Sequence, residues 1–226
     1  ILFPDTGKIK SESTAGSFLD FTMGPEGESL LYQKNGIVEY WPLSGISRTV
    51  ATPADIAGVA QNGSPVMGLF SPDRQNLLVF AGSGGSYRGM VTGRYRRELP
   101  GISSASEIMW IDGSRILYRR GSPGSYSVDV FDCSSGNGRS IAEGSLHTNL
   151  TVSFSTGTVF YLMDGIITLR DSISSKPFYT GLEGEDVVMS PDGNRFLSLY
   201  GKRLYCTHRT LLEKRQMEIR RGARRI

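Results

Sequence analysis

One turn phrase returns five times along this chain, and it limits what the chain can fold into more than any other feature. It reads Gly24-Pro25-Glu26-Gly27-Glu28, Ser71-Pro72-Asp73-Arg74-Gln75, Trp110-Ile111-Asp112-Gly113-Ser114, Phe154-Ser155-Thr156-Gly157-Thr158 and Ser190-Pro191-Asp192-Gly193-Asn194. Its equivalent points, Gly27, Arg74, Gly113, Gly157 and Gly193, lie 47, 39, 44 and 36 residues apart. Each phrase follows a short apolar run and precedes another. Short strands repeating at roughly 40 residues predict a β-propeller.

Each repeat reads as strands a, b, c and d joined by turns. The first predicts strands at 18–23, 29–34, 37–41 and 46–51, with Asn35-Gly36 as a two-residue hairpin signal. The second predicts 66–71, 76–81, 87–92 and 94–99, the third 107–111, 116–120, 126–131 and 139–142. The fourth predicts 150–155, 158–163, 166–170 and a poor strand at 177–179. The fifth gives 186–190, 195–200 and 203–207, then stops. Runs such as Leu77-Leu78-Val79-Phe80 suit strands covered on both faces, while the polar d strands suit an outer edge. The segment Ile1 to Ile9 reads as the end of a c strand, a turn and a d strand. It either completes the fifth repeat and closes the ring or belongs to an upstream blade.

The Ser-Pro-Asp-Gly turn at Ser190–Gly193, altered at Ser71–Arg74, resembles that of the WD40-repeat and TolB-like propeller families. Trp41-Pro42, Phe131-Asp132 and Arg170-Asp171 stand where WD40 repeats favour Trp-Asp, and Phe131-Asp132 is the nearest match. The Gly-His dipeptide of those repeats is missing. The resemblance implies the propeller fold across nearly the whole chain and says little about function.

Chemistry is sparse. Two histidines, His147 and His208, cannot make a His-rich metal site, and Cys133 and Cys206 lack neighbouring ligands for structural zinc. No nucleophile elbow is present. Gly82 to Gly89 is rich in glycine but lacks the following helix or Gly-Lys-Ser/Thr of a phosphate loop, so it reads as a b–c hairpin. Asp112 and Asp164 fall in turns, where Asp serves the backbone. Asp20 and Asp186 fall on channel-lining strands, where paired carboxylates would serve glycoside cleavage. No run of 18 apolar residues and no signal peptide occurs, and two thiols in different repeats fit a reducing intracellular compartment. Against this, Asn62-Gly63-Ser64 and Asn149-Leu150-Thr151 are glycosylation sequons.

Charge is distributed unevenly. The chain of 226 residues nets +3, yet residues 209–226 hold Arg209, Lys214, Arg215, Arg220, Arg221, Arg224 and Arg225 against Glu213 and Glu218. The body is therefore slightly acidic and the tail strongly basic. Leu211, Leu212, Met217 and Ile219 give the tail a weak apolar stripe. Arg94, Arg96 and Arg97 on a d strand, with Arg119 and Arg120 nearby, outline a basic flank. Arginine forks match carboxylate and phosphate, so both sites are expected to bind an acidic partner.

These readings give an all-β, five-bladed propeller over 1–208, or a partial one, followed by a basic helical tail over 209–226. The expected role is a non-catalytic scaffold for protein–protein interactions within a larger assembly, with no cofactor, metal or catalytic residue. Its expected partner is a protein with an acidic surface, nucleic acid being the second candidate through the tail. The alternative role is a glycan-processing or glycan-binding five-bladed propeller.

Overall fold

The computed structural model describes residues 2–3, 8–9, 17–24, 27–34, 37–42, 48–51, 66–83, 85–104, 107–145, 149–153, 157–170, 178–190 and 192–211. Nearly all of them are β-strand, and every pairing is antiparallel. The strands fall in chain order into five consecutive sheets and one separate two-stranded ladder. The ladder joins β1 (Leu2–Phe3) to β2 (Lys8–Ile9), with Leu2 opposite Ile9. Among the described residues, the two short strands expected at the chain start pair with each other.

The first sheet runs β3 (Ser17–Gly24), β4 (Gly27–Lys34), β5 (Ile37–Pro42) and β6 (Arg48–Ala51). The second runs β7 (Val66–Phe70), β8 (Asn76–Ser83), β9 (Ser86–Gly93) and β10 (Arg97–Ile102). The third runs β11 (Ile108–Trp110), β12 (Arg115–Ser122), β13 (Ser125–Asp132) and β14 (Asn137–Gly144). The fourth runs β15 (Asn149–Ser153), β16 (Thr158–Met163), β17 (Ile166–Arg170) and β18 (Phe178–Glu183). The fifth has β19 (Asp186–Met189), β20 (Arg195–Tyr200) and β21 (Arg203–His208). Residues 209–211 then turn helical.

The first strand of each sheet meets the first strand of the next: β3 with β7, β7 with β11, β11 with β15, and β15 with β19. That succession of meanders, joined through their innermost strands, is the organisation of a propeller.

In the second and fifth phrases, local hydrogen bonding makes the a–b hairpin. Asp73 Oδ1 accepts from Ser71 Oγ at 2.6 Å and from the Gln75 amide at 3.1 Å, while the Asn76 amide donates to Ser71 Oγ at 3.0 Å. The last phrase repeats this with Ser190, Asp192, Asn194 and Arg195. In these two phrases the fourth position has a left-handed backbone: Gly193 has φ 71° and Arg74 φ 60°. Glycine accepts that conformation freely and arginine does not.

The core lies between sheets. Leu78, Phe80, Val91 and Leu99 of the second sheet pack with Ile108, Trp110, Ile116, Tyr118 and Phe131 of the third. Ile111, Leu117, Val128 and Val130 pack with Leu150, Val152, Val159, Tyr161 and Met163 of the fourth. Phe160, Leu162, Ile167 and Leu169 then pack with Val187, Met189 and Phe196 of the fifth. All six residues of β16 are buried, since alternate residues serve opposite interfaces.

The predicted glycine-rich hairpin is confirmed by the pairing of Ser83 with Ser86. One correction among the strands concerns β10, which starts at Arg97 rather than at residue 94. Gly93, at φ 113°, turns the chain out of β9. The Arg94 amide then donates to the Gln75 carbonyl, and the Tyr95 amide to Asn76 Oδ1. These backbone groups are occupied before the strand can begin.

Candidate functional site

A buried carboxylate collects polar groups where the inner strands of three sheets begin. Glu107 immediately precedes β11, in a turn whose amide donates to the Ser104 carbonyl at 3.3 Å. It is 6% exposed, as is Arg119 of β12. Arg119 is held firmly: its Nε donates to Ser103 Oγ at 2.9 Å, and its guanidinium lies 4.8 Å from the Tyr126 ring centre. The Ser103 amide donates to the Arg119 carbonyl at 3.1 Å, fixing the second sheet's last strand beside β12.

Burial pushes the Glu107 carboxyl up to about 7. The Arg119 charge and the Leu150 amide, near the start of β15, pull it down, while Asp186, the first residue of β19, raises it. Such a group exchanges its proton near neutral pH. Buried structural ion pairs shift titrations too, so the raised carboxyl marks a candidate site without defining a reaction.

Of the sequence-singled aspartates whose side chains are described, Asp186 alone influences Glu107, and it is the least of the influences on that carboxyl. Asp112 accepts from the Ser114 and Arg115 amides at 2.8 and 2.9 Å and from Arg115 Nε at 2.6 Å. Burial raises its carboxyl, but the Arg115 side chain and the turn amides outweigh this and hold it below the usual range. Asp164 accepts from the Ser145 amide at 2.9 Å. The Asp20 side chain lies outside the described residues. Glu107 and Arg119 form the site because packing brings together strands from three repeats, and no local motif marks them.

The basic flank is smaller than the sequence suggests. Arg94, Arg96 and Arg97 are exposed, Arg97 at the start of outermost strand β10 and the other two just before it. Arg119 is buried under Tyr126, and Arg120 Nε pairs with the buried Asp129 at 2.9 Å, so neither extends the flank. Arg97 instead reaches the turn of the next sheet, its Nε 3.3 Å from where a Cβ on Gly136 would stand. Beside that turn lies a cleft of about 240 Å³ lined by Arg115, Asp132, Ser135, Asn137 and Arg139. Of the predicted tail cations, Arg209 is half-buried and donates to Thr158 Oγ1 at 3.3 Å, tying the chain to the fourth sheet. Lys214, Arg215, Arg220, Arg221, Arg224 and Arg225 lie outside the described residues, as do the sequon at Asn62 and His147.

No protein-family model matches the chain, and no curated protein matches its sequence. Its likenesses are to solved structures. A puromycin-hydrolyzing peptidase of Mycobacterium tuberculosis is 13% identical with a TM-score of 0.57, over 87% of this chain and 37% of that one. An uncharacterized protein of Listeria monocytogenes is 13% identical with a TM-score of 0.54, over 86% and 63%. TolB from Acinetobacter baumannii is 13% identical over 84% and 48%, at a TM-score of 0.49 that adds no weight. The chain spans less than two thirds of each of these proteins.

Topology and likeness together define an all-β, propeller-like fold. The WD40 family in particular is not shown. The expectation of a chain without catalytic function is overturned, because this fold is shared with a peptidase and the architecture therefore gives no ground for it. Among the described residues, no helix is long and apolar enough to cross a membrane.

Proposed function

We propose that this chain is a propeller scaffold that docks an acidic protein surface along its basic flank, as a subunit of a larger assembly. Each of the five sheets serves as one blade. The carrying observation is the placement of Arg94, Arg96 and Arg97 on an outer edge, continuous with a cleft bordered by Arg139. Exposed arginines there meet a partner's carboxylates without disturbing the inter-sheet core. The tail beyond Arg209 supplies a second basic contact. A protein partner suits these separate basic sites better than a nucleic acid, which calls for a continuous basic face. Two free thiols, Cys133 buried and Cys206 exposed, fit a reducing intracellular compartment.

The test is co-purification from the source cells with the native chain and with Arg94→Glu/Arg96→Glu/Arg97→Glu. Partners that leave the reversed chain, and leave the native chain as salt rises, support the reading. An unchanged partner set under both conditions removes it.

A second reading, glycan processing, is favoured by one observation: burial raises the Glu107 carboxyl to about 7, and the Asp186 charge adds to the rise as the least of the influences on it. A neutral acid together with a carboxylate is the pair that glycoside cleavage requires. Hydrolysis of a glycoside panel by the native chain, abolished in Glu107→Gln, would establish it. No turnover on any panel member would end it.

A further inference from the structure

The fifth sheet stops one strand short of the other four. Each of those carries a further strand, β6, β10, β14 or β18, on the outer edge of its third. In the fifth sheet β21 holds the third position, and no described strand lies against its outer edge. Residues 209–211 turn helical instead of continuing into an outer strand. The pairing of β21 is nevertheless that of an interior strand. Its ladder with β20 is regular from Arg203 to His208. The ladders of β5, β9, β13 and β17 with their inner neighbours are regular too. In each four-stranded sheet, by contrast, the outermost ladder carries a bulge or register shift. Such irregularities blunt an exposed edge. β21 has none, and Arg203, Leu204, Tyr205 and Cys206 are exposed.

Hydrogen bonding fixes what this edge offers. The Arg209 amide donates to the Asn194 carbonyl at 2.9 Å, one step beyond the pair Arg195–His208. Antiparallel alternation then turns the backbone groups of Arg203, Tyr205 and Thr207 toward β20. Those of Leu204, Cys206 and His208 face outward. A regular row of outward amides and carbonyls is a template for one more strand.

Charge selects the occupant. From Arg195 to Leu211 the chain holds Arg195, Lys202, Arg203 and Arg209 and no carboxylate. Of the carboxylates before it, Glu183 bonds the Tyr200 hydroxyl, Glu185 the Gly201 amide, and Asp192 its own turn. Asp186 stands two strands away, on β19. An added strand places residues beside Arg203 and Tyr205 on one face, and beside Leu204 and Cys206 on the other. A segment alternating carboxylates with aliphatic residues matches both faces. The ladder strand β2 does not, since Lys8 and Lys10 flank Ile9. Nor does a second β21: the antiparallel register that uses all its outward groups sets Arg203 opposite Arg209, and like charges directly opposite repel. We propose that the outer edge of β21 takes up an extended acidic segment of a partner protein as the fourth strand of the fifth sheet.

The experiment uses the full chain, with a short capped peptide of alternating glutamate and valine as the probe and its lysine–valine counterpart as the control. Amide exchange followed by NMR should be fast at Leu204, Cys206 and His208 in the chain alone. The glutamate peptide at about 1 mM should slow it at least about tenfold, and the lysine peptide should not. Cys206→Pro removes an outward amide and leaves the bonds to β20 in place, so it should keep its melting temperature and lose the protection. Arg203→Glu should weaken binding of the glutamate peptide at least about tenfold and favour the lysine peptide. Arg94→Glu/Arg96→Glu/Arg97→Glu should leave the protection as it is, because this edge is separate from the basic flank. No protection by the glutamate peptide overturns the proposal. So does equal protection by the lysine peptide, protection that survives Cys206→Pro, or slow exchange at these amides in the chain alone.

Discussion

A glutamate whose carboxyl is lifted to about 7 makes stability depend on pH in one direction. Folded Glu107 binds its proton more tightly than the unfolded chain, whose glutamate titrates near 4.5. Its contribution is therefore complete below about 4.5 and lost as pH rises through about 7, on the order of 3 kcal/mol in all. Glu107→Gln should equal the native chain in thermal melts near pH 4.5 and exceed it at pH 8. A gap that stays constant with pH would remove this account. Arg74 supplies the opposite kind of case, a residue working against its turn. Arg74→Gly places the residue of the Ser190 phrase at φ 60° and should gain roughly 0.5–1 kcal/mol in chemical denaturation, after glycine's own entropic cost. The Arg74 position was legible because the phrase repeats. The Glu107 site was not, because its surroundings come from Leu150 and Asp186, in later repeats, and packing alone brings them together.

Between sheets, a few polar ties register what the apolar faces leave free to slide. Asn76 is fully buried, donates to the Gly113 carbonyl at 2.8 Å and accepts from the Tyr95 amide at 3.0 Å. Trp110 Nε1 donates to the Leu69 carbonyl at 2.9 Å, making a second tie between the same sheets. Asn76→Ala strands both partners of Asn76 and should cost about 2–3 kcal/mol in chemical denaturation. At the next junction, the Phe160 and Phe196 rings stand 5.2 Å apart. Phe196→Ala should cost about 3–5 kcal/mol, with amide exchange rising first in the fifth sheet. Strand order was readable because apolar runs and turn phrases alternate without interruption. The start of β10 was not, because Asn76 claims the Tyr95 amide from another strand, and a window around residue 94 holds no sign of it.

Across the whole molecule, contacts run from each sheet to the next in sequence, so stability is shared among neighbours as in repeat proteins. The Arg209 bond to Thr158 ends this succession. A chain cut after Leu211 keeps that tie and should melt as the native chain does, while losing whatever partner the basic tail holds. A fall in melting temperature would instead make the remaining residues part of the fold. The two cysteines turn this linear design into a gauge that needs no added label. Cys206 is open to solvent, whereas Cys133 sits between the second and third sheets. Its thiol is driven up to about 12, first by burial and then by the Asp132 and Asp112 charges. One thiol should therefore react with a disulfide reagent at once, and the other only when those two sheets part. The slow rate, compared with that of an unfolded thiol, gives the free energy of opening that single seam while the rest of the molecule stays closed.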